Sequence, residues 1–216
     1  MLQQDGTNTV EAWSPDGRRL LCRERPEIST TTSLLDLESG DARLLTEHRD
    51  EALYLSPHFV GEDELILLAN ADSDFLAPAQ LDLRTGSFAR LEEPGWDVEY
   101  LAASPDGRVV AYAVNEDGYS RITVYVDGDN VQTSGLPSGV VSGLQLSAEG
   151  SVLAIDLNTP TTGANVWTMD PAIGEAVQVT RASLAGIAPE ALVEPELVRY
   201  ASFDGLEVPA FLYKPV

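Results

Sequence analysis

Glycine and serine residues between positions 135 and 143 are the first candidates for nucleophilic chemistry in this sequence. They are Gly135, Ser138, Gly139, Ser142 and Gly143. A hydrolase serine on a strand-to-helix elbow needs the pattern Gly-x-Ser-x-Gly, with Asp and His following in chain order. That pattern occurs nowhere in the sequence, and both histidines, His48 and His58, precede the cluster. We therefore assign no catalytic residue, and we expect the chain to be inactive as a serine hydrolase on its own.

Oxygen-bearing side chains at alternate positions suggest a metal site near residue 70. Asn70, Asp72 and Asp74 have the spacing with which a calcium-binding loop begins. Such a loop needs glycine at its sixth position and a bidentate glutamate at its twelfth, where Phe75 and Leu81 stand. We interpret the segment as a solvated acidic loop and assign neither a metal nor a cofactor. A second polar group is interpreted as turn residues: Asp127, Asp129 and Asn130.

Acidic residues dominate the charge of this chain of 216 residues. There are 35 Asp and Glu against 13 Lys and Arg, which gives a formal charge of −22, and Lys214 is the single lysine. Nucleic acids and anionic membranes carry the same sign of charge, so we exclude both as partners. The 44% hydrophobic content is typical of a globular protein. Two origins of the acidity remain open: adaptation to high salt, or replacement of lysine by arginine in a GC-rich bacterium.

The cysteine content and the amino terminus indicate a cytoplasmic protein. Cys22 is the only cysteine, so the chain can form no internal disulfide, and its apolar neighbours predict a small buried thiol. Residues 1–10 are polar, and we expect no signal peptide there. No apolar run approaches the length of a membrane span.

An internal repeat is the most informative feature of the sequence. Ser14-Pro15-Asp16-Gly17 recurs as Ser104-Pro105-Asp106-Gly107, with degenerate copies at residues 56–57 and 147–150. The copies follow one another at intervals of about 40 to 50 residues, a period typical of propeller blades. Proline, aspartate and glycine in this order favour a type I turn followed by a left-handed residue. Such a turn joins two antiparallel strands.

Two hairpins in each repeat predict a four-stranded blade. The strands expected after the first turn are residues 19–22, 65–69, 109–114 and 152–157. A second anchor with Asp and Gly follows about 20 residues later, as in Leu35-Asp36-Leu37 and Leu81-Asp82-Leu83. No segment has a sustained helical period. The sequence therefore predicts an all-β protein, a β-propeller portion of four blades within residues 1–183. We expect Trp13, Trp96 and Trp167 to pack in or between the blades.

The repeats and the segment after them resemble a known family. The Ser-Pro-Asp-Gly units are similar to the blades of TolB-like propellers and of the prolyl oligopeptidase family of serine peptidases. After a linker at residues 184–196, residues 197–216 read as a strand, an Asp204-Gly205 turn and a strand ending in Tyr213-Lys214-Pro215. This resembles the hairpin that opens the α/β-hydrolase domain of dipeptidyl and acylaminoacyl peptidases in that family. The resemblance implies that Glu92 and Glu93 could hold a substrate amino terminus, whereas their Pro94-Gly95 neighbours favour a connecting loop.

The resemblance implies a non-catalytic role. We expect a fragment of such a peptidase: later blades, a linker and the first hairpin of an absent catalytic α/β-hydrolase domain. Its blades would restrict access to short peptide substrates, and its partner would be that catalytic domain. The alternative is a free-standing TolB-like scaffold for protein–protein interaction. Because four blades without closure leave two strand edges exposed, we also expect self-association, with two arcs completing an eight-bladed ring as one outcome. A compact four-bladed ring, which would remove the exposed edges, is the competing outcome.

The salt dependence of stability separates the two origins of the acidity. If the chain is adapted to high salt, its unfolding temperature will rise steeply from dilute buffer to molar potassium chloride. At 1 M salt the Debye length is about 3 Å, so repulsion between carboxylates farther apart than this is screened. Circular dichroism melts at increasing salt measure this rise. A flat profile would favour simple arginine-for-lysine replacement.

Overall fold

The computed structural model describes residues 7–25, 29–48 and 51–214, and they form eighteen strands and one short 3-10 turn, Pro189–Ala191. The first blade contains β1 (Thr7–Trp13), β2 (Arg19–Arg25), β3 (Thr31–Asp36) and β4 (Ala42–Leu44). The second contains β5 (Tyr54–Val60), β6 (Glu64–Ala69), β7 (Ala77–Asp82) and β8 (Phe88–Arg90). The third contains β9 (Val98–Ala103), β10 (Val109–Glu116), β11 (Tyr119–Val126) and β12 (Asp129–Val131). The fourth contains β13 (Val140–Leu146), β14 (Leu153–Thr159), β15 (Gly163–Met169) and β16 (Ala176–Gln178). A separate hairpin follows, β17 (Glu196–Ala201) and β18 (Glu207–Leu212).

Each blade is an antiparallel sheet whose strands lie side by side in chain order. The first strands of successive blades pack together, β1 with β5, β5 with β9 and β9 with β13. The fourth strand of every blade is only three residues long. The predicted fold class, all-β with four-stranded blades, is confirmed. The described residues contain no helix long and apolar enough to cross a membrane.

The Ser-Pro-Asp-Gly turn joins the first two strands of a blade through the serine hydroxyl. In the third blade Ser104 Oγ donates to Asp106 Oδ1 at 2.6 Å and accepts from the backbone N–H of Val109 at 2.9 Å. Ser104 is only 1% exposed, so water does not replace these bonds. Gly107 has φ +72°, and a Cβ there would lie 2.5 Å from Cγ1 of Val60 in the second blade. The motif thus fixes both a turn and the approach of two blades.

The core lies between the blades, so the middle strands are covered on both faces. On β6, Leu65 and Leu67 pack toward the first blade, and Ile66 and Leu68 pack toward the third. On β10, alternate residues likewise divide between the second and fourth blades, as predicted from the apolar run at 109–114. His58 joins the inner strands of the second and third blades, because its Nε2 lies 3.1 Å from the carbonyl oxygen of Leu101. Burial lowers the pKa of His58, so the neutral ring donates this bond.

The outer faces of the first and fourth blades both carry apolar and polar side chains. Cross-strand partners share a face, and on the first blade one row is Trp13, Leu20 and Leu35. A second row on that face holds Val10, Cys22, Ser33 and Leu44. We call this surface, which also carries Glu24, the leading face. On the fourth blade the trailing face carries Asp156, Asn158, Gln145, Ala154 and Thr168. These polar side chains share the trailing face with Val140, Val166 and Val177.

Cys22 is buried on the leading face, which confirms the prediction of a small buried thiol. Burial, and secondarily the charge of Glu24, raises the pKa of the Cys22 thiol. The three tryptophans behave differently from one another. Trp167 packs against the core of the third and fourth blades as predicted. Trp13, at 61% exposure, is not a core residue, and Trp96 is also exposed.

Removing the serine hydroxyl tests the role assigned to the turn. We expect Ser104→Ala to lower the free energy of unfolding by about 1–3 kcal/mol, because it leaves the buried N–H of Val109 without an acceptor. Urea unfolding followed by circular dichroism measures the change. Ser147→Ala is the matched control. The Ser147 hydroxyl accepts hydrogen bonds from the backbone N–H groups of Ser151 and Val152, and both of these bonds are exposed to solvent. Its expected loss is below about 0.5 kcal/mol, and equal losses in the two variants would contradict the assignment.

Candidate functional site: the carboxyl-terminal hairpin and the blade ends beneath it

The two ends of the blades are distinguished by their connections. Because the strands are antiparallel, the Ser-Pro-Asp-Gly turns and the turns before each fourth strand lie at one end, which we call the turn end. The connections β2–β3, β6–β7, β10–β11 and β14–β15 lie at the opposite end, together with the links between blades. The hairpin contacts that opposite end, which we call the hairpin end.

An aromatic contact holds the hairpin against the third blade. The rings of Phe211 on β18 and Tyr119 on β11 lie with centroids 4.6 Å apart and planes at 51°. Phe211 also covers Gly118 in the β10–β11 turn, where φ is +89°. A Cβ on Gly118 would lie 2.8 Å from Cε2 of Phe211, so only glycine allows this approach with the ring in place.

Polar contacts fix the hairpin at two further points. Arg199 on β17 forms an ion pair with Asp117 in the β10–β11 turn. The Asp117 side chain is only 14% exposed, which makes this a partly desolvated, charge-assisted contact. Thr161 in the β14–β15 turn donates a hydrogen bond of 3.1 Å to Glu194, just before β17. The hairpin is therefore attached to both the third and the fourth blades.

The rest of the hairpin presents apolar side chains to solvent. Phe203 in its turn is 102% exposed, and further exposed side chains lie along the two strands and the turn. They are Leu197, Tyr200, Leu206, Leu212 and Tyr213. Exposed apolar surface of this kind marks interaction sites on soluble proteins. The arrangement can serve as a rigidly held ribbon against which another domain packs.

The structure separates the two glutamates that the resemblance paired. Glu92 accepts hydrogen bonds from the hydroxyls of Tyr112 and Tyr125 on the third blade. Glu93 is 75% exposed and faces Arg90, with Nε and Oε1 3.8 Å apart. The pKa of Tyr112 is raised, first by burial and then by its bond to Glu92, so the hydroxyl remains a donor. Sequence reasoning missed both tyrosines, since they lie 20 and 33 residues beyond Glu92.

The other candidate residues have local structural roles. Asn70 accepts a hydrogen bond of 2.7 Å from the backbone N–H of Leu53, which ties the acidic loop to the start of the second blade. Asp127 lies in the β11–β12 turn with φ +52°, as expected of a turn residue. Its carboxylate accepts two hydrogen bonds of 2.8 Å from Arg108, and these lower the pKa of Asp127. The glycine–serine cluster lies in the link to the fourth blade and on β13.

Comparisons with known proteins agree with this architecture. No protein-family model and no curated protein sequence matches the chain. A prolyl endopeptidase structure superposes with TM-score 0.78 and 21% identity, over 96% of this chain and 31% of its own. A puromycin-hydrolyzing peptidase from Mycobacterium tuberculosis superposes with TM-score 0.79 and 18% identity, over 98% of this chain and 35% of its own. TolB from Acinetobacter baumannii superposes with TM-score 0.67 and 20% identity, over 95% of this chain and 55% of its own.

These likenesses establish the fold. The chain spans about a third of the length of the two peptidases and about half of TolB. The resemblance to propellers of the prolyl oligopeptidase family and of TolB, inferred from the repeats, is confirmed at the level of the fold. The superpositions extend over nearly all of this chain for the peptidases and for TolB alike.

Truncating Phe211 tests whether the aromatic contact holds the hairpin. We expect Phe211→Ala to accelerate amide hydrogen exchange in β17 and β18 by about tenfold or more, because it removes both buried area and an aromatic pair. The blades should keep their protection, as measured by mass spectrometry of the same sample. Phe203→Ala is the matched control, since that ring lies wholly in solvent. Equal acceleration in both variants would show that the contact does not hold the hairpin.

Proposed function

We propose that this chain is the non-catalytic propeller portion of a prolyl-oligopeptidase-family serine peptidase. The observation that carries the proposal is the order of its parts: four blades, a linker and a hairpin fixed to one end of those blades. About two thirds of each peptidase structure with which it superposes lies outside the superposed part. That additional length leaves room for a catalytic domain, which would be the partner of the hairpin end.

The proposed role is control of access. Blades held together by inter-blade cores form a rigid wall, and a rigid wall beside a catalytic cleft admits extended peptides and excludes folded proteins. The chain supplies no nucleophile, base or oxyanion donor in this scheme. Acyl transfer from a peptide bond to serine and then to water would occur on the catalytic domain.

A TolB-like scaffold is the second candidate, and the superposition with TolB favours it. The two candidates differ in what they require of the hairpin. A scaffold would bind its partner through the blades, so deletion of residues 184–216 would leave both stability and partner binding unchanged. An access-controlling propeller needs the hairpin as the rigid connection to its catalytic domain.

The coding sequence and a serine-directed probe test the proposal together. We expect the reading frame after Val216 to encode Gly-x-Ser-x-Gly followed by Asp and His, and the longer product to react with a fluorophosphonate. The 216-residue chain should show no labelling, because it lacks the elbow motif. Labelling of the short chain would contradict the non-catalytic role. A frame without the motif would contradict membership in an active peptidase.

A further inference from the structure

A cavity of about 440 Å³ lies between the second and third blades and has no role in the function proposed above. We call it the inter-blade cavity. The second blade contributes Ile66 and Pro78 to its wall, and the third contributes Val110 and Tyr112. Its volume falls within the range of about 300–1,000 Å³ usual for small-molecule sites.

A carboxylate without a cationic partner forms part of this wall. Glu92 reaches the cavity from the link between the blades, and Tyr112 and Tyr125 donate to its two oxygens. Within the described part of the chain, no Lys, Arg or His nitrogen lies within 4.0 Å of Glu92. The adjacent Glu93 does face a guanidinium, that of Arg90. A second cavity, of about 530 Å³, shares Glu92 and both tyrosines, so the carboxylate lies between two open volumes.

The charge and the shape of the wall define the chemistry of a ligand. Glu64 and Asp106 add two further carboxylates to the wall. The single guanidinium there, Arg108, is held by Asp127 in a bidentate pair. Aliphatic side chains cover the remainder, and the rings of Tyr112 and Tyr125 stack with centroids 6.5 Å apart. Aromatic rings beside a carboxylate favour a cation that carries an apolar body.

We propose that the inter-blade cavity binds a small organic cation, a primary amine or guanidine on an apolar body, with its charged group on Glu92. The cation donates to the carboxylate lone pairs that the two tyrosines leave free, and its body packs against Ile66 and Val110. The walls at Asp106–Arg108 and Gly128 belong to the turn end, away from the hairpin. Most of the wall therefore lies at the turn end, while Glu92 comes from the link between the blades. The proposal does not depend on the proposed function.

Three ligands of nearly equal shape test the charge requirement on the 216-residue chain. They are phenethylamine, 2-phenylethanol and 3-phenylpropanoate, measured by saturation-transfer NMR and by calorimetric titration at fixed ionic strength. We expect the amine to bind at least about ten times more tightly than the alcohol, because a hydrogen bond to a charged group is the stronger kind. The carboxylate ligand should not bind. Equal affinity of amine and alcohol would overturn the proposal.

Matched variants separate the site from the general attraction of a highly acidic surface. Glu92→Gln should weaken amine binding by about tenfold or more, whereas Glu93→Gln, its exposed neighbour, should leave it unchanged. Equal weakening by both would show that only net charge matters. Gln80→Lys places a tethered ammonium in the cavity wall and should block the amine, while Gln80→Met should not. This second pair keeps the test decisive if Glu92→Gln fails to fold, and undiminished binding in Gln80→Lys would overturn the assignment.

Discussion

Packing of each blade against the next is the constraint on which the rest of this structure depends. A four-stranded sheet with two apolar faces cannot bury both of them alone, so its neighbours complete its core. The middle strands β6 and β10 have this character, with alternate residues divided between two cores. The hairpin rests on the β10–β11 turn, and side chains of two neighbouring blades form the wall of the inter-blade cavity. Both features presuppose that the blades hold their mutual positions.

The outer faces of the first and fourth blades carry different side chains. The leading face exposes Trp13, Val10 and Leu44, the kind of surface that another blade or another apolar partner would cover. The trailing face places Asp156 and Asn158 where the inner blades have apolar side chains. Joining the leading face of one copy to the trailing face of another would bury Asp156 against apolar groups, at the cost of desolvating a carboxylate. The burial of Asp156 weighs against the expected eight-bladed ring of two copies, while self-association itself stays a prediction.

Much of the fold could be predicted from the sequence because its determinants are local. The Ser-Pro-Asp-Gly turns, the Asp-Gly hairpins and the two-faced apolar run at 109–114 each act within a few residues. The surroundings of Glu92 could not be predicted, since they depend on the packing of two blades and on tyrosines remote in sequence. Trp13 was misjudged for a related reason. Its position in the repeat is a packing position, but the blade face it occupies has no neighbour within the described residues.

The acidity of the chain has two physically different components. One group of carboxylates accepts hydrogen bonds within turns, and these bonds lower the pKa of each: Asp16, Asp36, Asp82, Asp106 and Asp204. A lowered pKa means stability that is present above the ordinary value of 3.8 and is lost as the pH falls through the folded-state value. Hydrogen bonds of this kind join atoms in direct contact. They therefore persist when salt screens charges that lie more than a Debye length apart, which is about 8 Å at physiological ionic strength. The remaining carboxylates have few cations to face in a chain of charge −22. Salt therefore relieves repulsion among that second group while the turns stay intact, and acid weakens the turns by protonating the first group.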